Sequence, residues 1–332
     1  MSGTVTKRPA HSDHGAGGNG AAEHLAATSS NSRERNASRP LSSTASATPY
    51  APKLFNAALW RKAWIEARLL LVCCVLLMFL FQWVFVWITS QVKLGALSTF
   101  VKSLPPAFQS LSGVPVNELA TVAGRIGLAY VDPIVLVTSA VWAIARGSDV
   151  VSGEINRGSM ELLVSQPVRR ISIFLTQSVV TTIGAALISL TALSGTFCGL
   201  SLVTLEEPVA SMPFLPAAIN LFGMTFFLGG VAAAASACDR YRWRTIGLVG
   251  GFYVLQLMVN VMARAVKSLN WLEYTTFFGA YEPQGLISDY LREPAAAWQM
   301  LAQYNGVLLG LGLVAYAFGA TVFCRRDLPA PL

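Results

Sequence analysis

The sequence predicts an all-α polytopic membrane protein: six transmembrane helices, an amphipathic N-terminal interfacial helix and a short helix on the cytoplasmic face. Three observations predict it. Hydrophobic residues make up 54% of the chain and charged ones 12%, against roughly 25% charged in an ordinary globular chain. Mean hydropathy is +0.53, more apolar surface than one core of this length can hide, so lipid must cover the rest. Finally, apolar stretches with few charges recur along the chain, each near the roughly 20 residues that cross hydrocarbon.

Residues 1–52 are rich in Ser, Ala, Gly, Asn and Thr, with almost no large apolar side chain. Such a segment cannot offset its ordering entropy, and it is expected to be a disordered cytoplasmic tail. The membrane domain is expected over 53–332. Residues 53–68, KLFNAALWRKAWIEAR, mix Trp60 and Trp64 with Lys53, Arg61, Lys62 and Arg68, a composition suited to the headgroup zone. Spans follow at about 69–90, 124–146, 171–203, 214–238, 245–263 and 298–323. Pro105, Pro106, Gly113 and Pro115 place a loop after the first span, and Glu206, Glu207 and Pro208 mark a turn after the third. Short loops carry Arg157, Arg169 and Arg170, then Arg240, Arg242 and Arg244, and Arg325 and Arg326 follow the last span. The positive-inside bias therefore puts both termini in the cytoplasm.

Several functional classes are excluded at this level. The net charge of +7 lies in the tail and short loops rather than on a face interleaved with aromatics, so it speaks for anionic lipid and against nucleic acid. Cys73 and Cys74 adjoin in the first span, Cys198, Cys238 and Cys324 stand alone, and no CxxC occurs. They read as small apolar residues. His11, His14 and His24 all sit in the tail, which leaves the membrane region without imidazole for haem, zinc or acid–base work.

The informative stretch is 152–170, SGEINRGSMELLVSQPVRR. It reads as a short amphipathic helix in which Ser159 can cap the start and Glu161 favours the positive end of the dipole. Met160, Leu162 and Leu163 offer an apolar ridge, and Pro167 limits the helix. Two readings stand on the residues alone: a plug for a groove on another protein, or a basic loop resting on the membrane.

The run from Glu154 resembles the signature of ABC-2 type permeases, the membrane subunits of ATP-binding-cassette exporters. The matching positions are Glu154, Gly158, Ser159, Met160, Glu161, Leu162, Leu163, Pro167, Val168 and Arg170, and the resemblance covers the chain from about residue 53 to its end. It implies that this segment, with Arg157 among its charged contacts, docks on the ATP-binding subunit and passes its closing motion to the spans. Glu154 and Glu161 would be charged contacts, and Leu162 and Leu163 apolar anchors. No G-x-x-x-x-G-K-[ST] occurs, so ATP and Mg are expected on that separate subunit and no cofactor on this chain, which is then no enzyme itself. The resemblance also implies a second permease copy or paralogue, and a bacterial cytoplasmic membrane as location.

Other residues leave alternatives open. Asp132 lies about 12 Å into the second span at 1.5 Å per residue, with Arg125 seven residues earlier on the same helical face. The two either line a transport path or form a structural charge near the outer interface. Gly306 and Gly310, and Gly229 with Gly230, permit close helix contact, within the chain or between subunits. Residues 271–290 combine aromatics with Glu273, Glu282 and Asp289; they form outer gating helices by family analogy, or an interfacial loop. Beside the permease stand a secondary transporter with Asp132 as its ion-coupled carboxylate, and a membrane anchor that transports nothing.

Overall fold

The computed structural model describes residues 57–91, 121–164, 168–205 and 207–326; the expectations for the tail, for the loop after the first span and for Pro167 lie outside them. Among the described residues the chain is helical, without strands, and six helices are long and apolar enough to cross a membrane.

Helix α1 runs unbroken over Ala57–Gln91. The expected division into an interfacial helix and a first span is corrected here. No Gly or Pro falls within these 35 residues, so nothing interrupts the backbone ladder where composition turns from basic to apolar. At 1.5 Å per residue the rod is about 52 Å long, well beyond a hydrocarbon core of roughly 30 Å.

The second span, expected as one helix over 124–146, is segmented. α2 (Val122–Gly127) passes into a 3₁₀ turn (Leu128–Val131), and α3 (Pro133–Ser148) starts afresh. Pro133 disfavours the helical conformation at the residue before it, and Asp132 is accordingly extended at φ −64°, ψ 140°. Beyond α3 come a π-helical turn (Asp149–Gly153), a short helical turn (Glu154–Asn156) and α4 (Ser159–Val164). The remaining spans are α5 (Arg170–Leu202), α6 (Phe214–Cys238), α7 (Arg242–Ala265) and α9 (Pro294–Arg325). Before α9, 3₁₀ turns at Lys267–Thr275 and Phe277–Ala280 lead to α8 (Pro283–Arg292).

α6 is the central helix. It packs along α9 and against α3 and α5, while α1 lies along α5. Close approach of α6 and α9 depends on Gly230 and Gly312, where a Cβ would sit 2.7 Å from the Gly312 carbonyl and 2.8 Å from the Phe226 ring respectively. Gly306 and Gly310 take no part, since a Cβ on either meets nothing within 4 Å. The outer faces of α1, α7 and α9 are apolar and uncovered: Leu69 is 76% exposed, Leu248 64% and Val314 67%. Such a belt is stable only against lipid or another apolar surface.

Candidate functional site

The charged segment after α3 folds back onto the ends of three spans. Its local framework is the π turn, where one extra residue per turn displaces the normal hydrogen-bond ladder. Ser236 on α6 repairs it. Its hydroxyl accepts from the Val151 and Ser152 amides at 3.1 and 2.8 Å and donates to the Ser148 carbonyl at 2.9 Å.

The turn carries Asp149 into a nest of guanidiniums. Arg157 donates to it at 3.0 Å, Arg242 approaches at 3.1 Å and Arg146 at 3.4 Å. Gly153 makes room, because a Cβ there would lie 2.3 Å from the Asp149 Oδ1 atom. Glu154, fully buried, receives Lys62 Nζ at 2.5 and 2.6 Å on its two oxygens. Ser159 also donates to the Glu154 carboxylate, and Arg157 donates at 3.3 Å. Glu66 completes the network, 3.4 Å from Lys62 and 3.9 Å from Arg157. Buried Arg146 donates at 2.6 Å to Gln177 on α5. Three carboxylates (Glu66, Asp149, Glu154) thus meet four cations (Lys62, Arg146, Arg157, Arg242) at one end of the bundle. Burial alone would lower the Arg157 pKa, but the carboxylates of Asp149, Glu154 and Glu66 outweigh it and hold the guanidinium above its ordinary value. Gly158 has φ +70° with open space around it, a left-handed residue that turns the chain from Arg157 into α4.

The structure brings together Glu154, Arg157, Gly158 and Ser159 of the signature. Ser159 begins α4, and its hydroxyl donates back to Glu154. Met160 and Leu163 do not form an outward ridge, which corrects the expectation for these two. Met160, 3% exposed, is buried with Val150, Val151, Phe174 and Phe323; Leu163, 8% exposed, packs on Leu59, Ile173 and Val168. The physical reason is the tight turn at Gly158, which lays α4 against the spans. Glu161 and Leu162 belong to α4 by backbone. Arg170 starts α5 and donates at 2.8 Å to the Arg326 carbonyl. Arg326 itself donates to the Ala237 and Asp239 carbonyls at the end of α6. Sequence reasoning missed Asp149 and Gln177 altogether and did not connect Lys62, Arg146 and Arg242 to Glu154. The one local signal was Arg146-x-x-Asp149, an i, i+3 ion pair at the close of an apolar span.

Asp132 and Arg125 are not on one helical face, because the 3₁₀ turn and the extended Asp132 separate them. The Asp132 carboxylate accepts from the Ile134 amide at 2.8 Å and caps α3. Arg125 is 4% exposed within α2.

The opposite end of the bundle is built from rings and amides. After α7, Trp271 and Tyr274 stay on the surface, 61% and 92% exposed, and the chain then turns inward, where Phe277, Phe278 and Tyr281 are nearly fully buried. Phe277 contacts Phe227, Phe252 and Tyr253. Tyr281 donates to the Tyr130 carbonyl at 2.5 Å, and Burial, with Tyr253 and Tyr130 nearby, pushes its own pKa well up, so it remains a donor. Asn220 on α6 donates to the Ala280 carbonyl and to Asn305, both at 3.0 Å, and accepts from the Glu282 amide at 3.0 Å. Asn305 donates in turn to the Ile219 carbonyl at 2.9 Å. Arg264 pairs with Glu282 and lies 3.7 Å from Glu273.

These features define a class first: a multi-pass helical membrane protein whose spans are tied together at one end by a charged segment between the second and third. A family model described as ABC-2 family transporter protein matches residues 60–328, from the first turns of α1 to just past α9. The chain belongs to this family and is an ABC transporter permease. No curated protein matches it.

Proposed function

We propose that this permease exports its substrate with energy from ATP hydrolysed, with Mg, on a separate ATP-binding subunit. That subunit docks on the charged end of the bundle, which faces the cytoplasm together with both termini. One observation carries this reading: the ion-pair network of Lys62, Asp149, Glu154, Arg157 and Arg242 joins the segment after α3 to the starts of α1 and α7. A displacement of residues 154–170 by the partner is then passed to several spans at once. Met160 and Leu163 hold the segment onto the spans, and the charged side chains beside it, with exposed Arg61 and Arg169, meet the partner. Two permease halves, identical or related, complete the transporter. Asp132 caps α3, a structural role that favours the ATP-driven reading over a gradient-driven carrier.

The test is purification of the tagged full chain from its native membrane in mild detergent, with mass spectrometry of what accompanies it. A stoichiometric P-loop ATPase is expected, and Arg61→Glu combined with Arg169→Glu should weaken its retention about tenfold or more, equivalent to about 1.4 kcal/mol. Both side chains are exposed, so the variant keeps its fold. Absence of any ATPase, or vesicle transport that needs a proton gradient and no ATP, would sink the reading.

A further inference from the structure

The π turn that precedes the charged segment is fastened from outside its own helix. In an uninterrupted α-helix the Val151 and Ser152 amides would donate to the Gly147 and Ser148 carbonyls, four residues back. Here both amides donate to Ser236 Oγ on α6, at 3.1 and 2.8 Å. Ser236 in turn donates to the Ser148 carbonyl at 2.9 Å, and the Ser152 hydroxyl reaches the same carbonyl at 2.9 Å. Thr245, in the first turn of α7, has its hydroxyl 3.2 Å from Ser152 Oγ. Ser148, Ser152, Ser236 and Thr245 are each at most 1% exposed, so water does not reach this knot.

Helix α3 is clamped just ahead of the turn. A Cβ on Gly147 would lie 2.4 Å from the Ala232 Cβ and 2.9 Å from the Gly229 carbonyl oxygen. The α3 and α6 backbones touch there, which leaves α3 little freedom of its own. Just beyond the turn, Glu154 is held by Lys62 of α1. A π turn differs from an α turn by one inserted residue. Releasing that residue into the α register turns everything beyond it by roughly 100° and advances it by about 1.5 Å. The hydrogen bonds balance across this change. The two amides pass from Ser236 Oγ to the Gly147 and Ser148 carbonyls, and the hydroxyls, each both donor and acceptor, pair again among themselves. Neither register strands a buried polar group.

We propose that the π turn at Asp149–Gly153 is the joint on which the segment 154–170 turns, and that Ser236 is the positioning residue that holds the joint in the register seen here. In this register Glu154 meets Lys62; in the α register its carboxylate is carried away from α1. The inference deepens the docking reading and rests on it for the force that moves the segment. Its test needs the permease alone, so a missing ATPase and a rigid turn are told apart.

The experiment is a double-mutant cycle of Lys62→Ala and Glu154→Ala, read as the unfolding temperature of the full chain in mild detergent and repeated in several backgrounds. In the wild type the two losses should be non-additive. In Ser236→Ala that non-additivity should fall about threefold or more. Ser189→Ala, which removes a buried hydroxyl on α5, should leave it at the wild-type value. If Ser236→Ala has lost its cooperative transition, Ser236→Cys, a weaker acceptor of nearly the same size, carries the same comparison. Undiminished non-additivity in the Ser236 variant overturns the proposal, because the turn then keeps its register without the hydroxyl. An equal fall in Ser189→Ala overturns it too, as does strict additivity in the wild type.

Discussion

The two ends of the helical bundle hold irregular backbone by opposite chemistry. At one end, charged groups surround the π turn and stay partly wet: the side chains of Arg157 and Lys62 are 39% and 31% exposed. At the other, Asn220, Asn305, Tyr130 and Tyr281 tie the chain with neutral hydrogen bonds under a cluster of rings, and all four are buried. A half-exposed ion pair can exchange partners with water or another protein at small cost. A buried neutral bond cannot, because each orphaned group costs about 1–3 kcal/mol. Exchange of partners is therefore cheaper among the half-exposed pairs of the charged end than at the aromatic end, where several buried bonds would have to give way together.

The comparison breaks most visibly at Glu154, the fully buried carboxylate of the charged network. Glu154→Ala should cost about 3–5 kcal/mol by leaving Lys62 and Arg157 without their anion. Thermal unfolding in detergent measures it, and the Lys62→Ala, Glu154→Ala double variant should lose less than the sum of the singles. Strict additivity would mean the pair is not formed. Next comes Asn220→Ala, expected to cost about 2–3 kcal/mol by stranding the Ala280 carbonyl and the Glu282 amide. Its loss should be the same in low salt and in 1 M salt, where the Debye length is about 3 Å, while the cost of Glu66→Ala, which removes the more exposed pair with Arg157, should shrink there. Equal salt response would erase the distinction between the ends. The smallest effect is Tyr281→Phe, about 0.5–1.5 kcal/mol for one hydrogen bond to the Tyr130 carbonyl, read by the same unfolding assay.

Much of the fold was legible because its boundaries are written in strong residues. α6 occupies 214–238 as expected, between Pro213 and Asp239. α5 is shifted by one residue from the expected 171–203, and α9 extends a few residues beyond 298–323, their starts marked by Arg170 and Pro294. The first helix misled because basic and aromatic residues signal an interface by composition, yet composition does not bend a helix that lacks Gly and Pro. The site was half legible. Its signature from Glu154 to Ser159 reads locally, but the Asp149 nest draws arginines from positions 146, 157 and 242. No spacing rule reaches across 93 residues, and the inward turn of Met160 and Leu163 depends on the direction that Gly158 gives the chain.

The unbroken first helix has a mechanical consequence. Lys62 grips Glu154 near one end of a stiff rod about 52 Å long, and no hinge residue lies between that grip and Gln91. A tilt of about 5° about one end carries the other end about 4–5 Å sideways over that length. The helix acts as a lever arm. A tilt at its base would thus be enlarged at its far end.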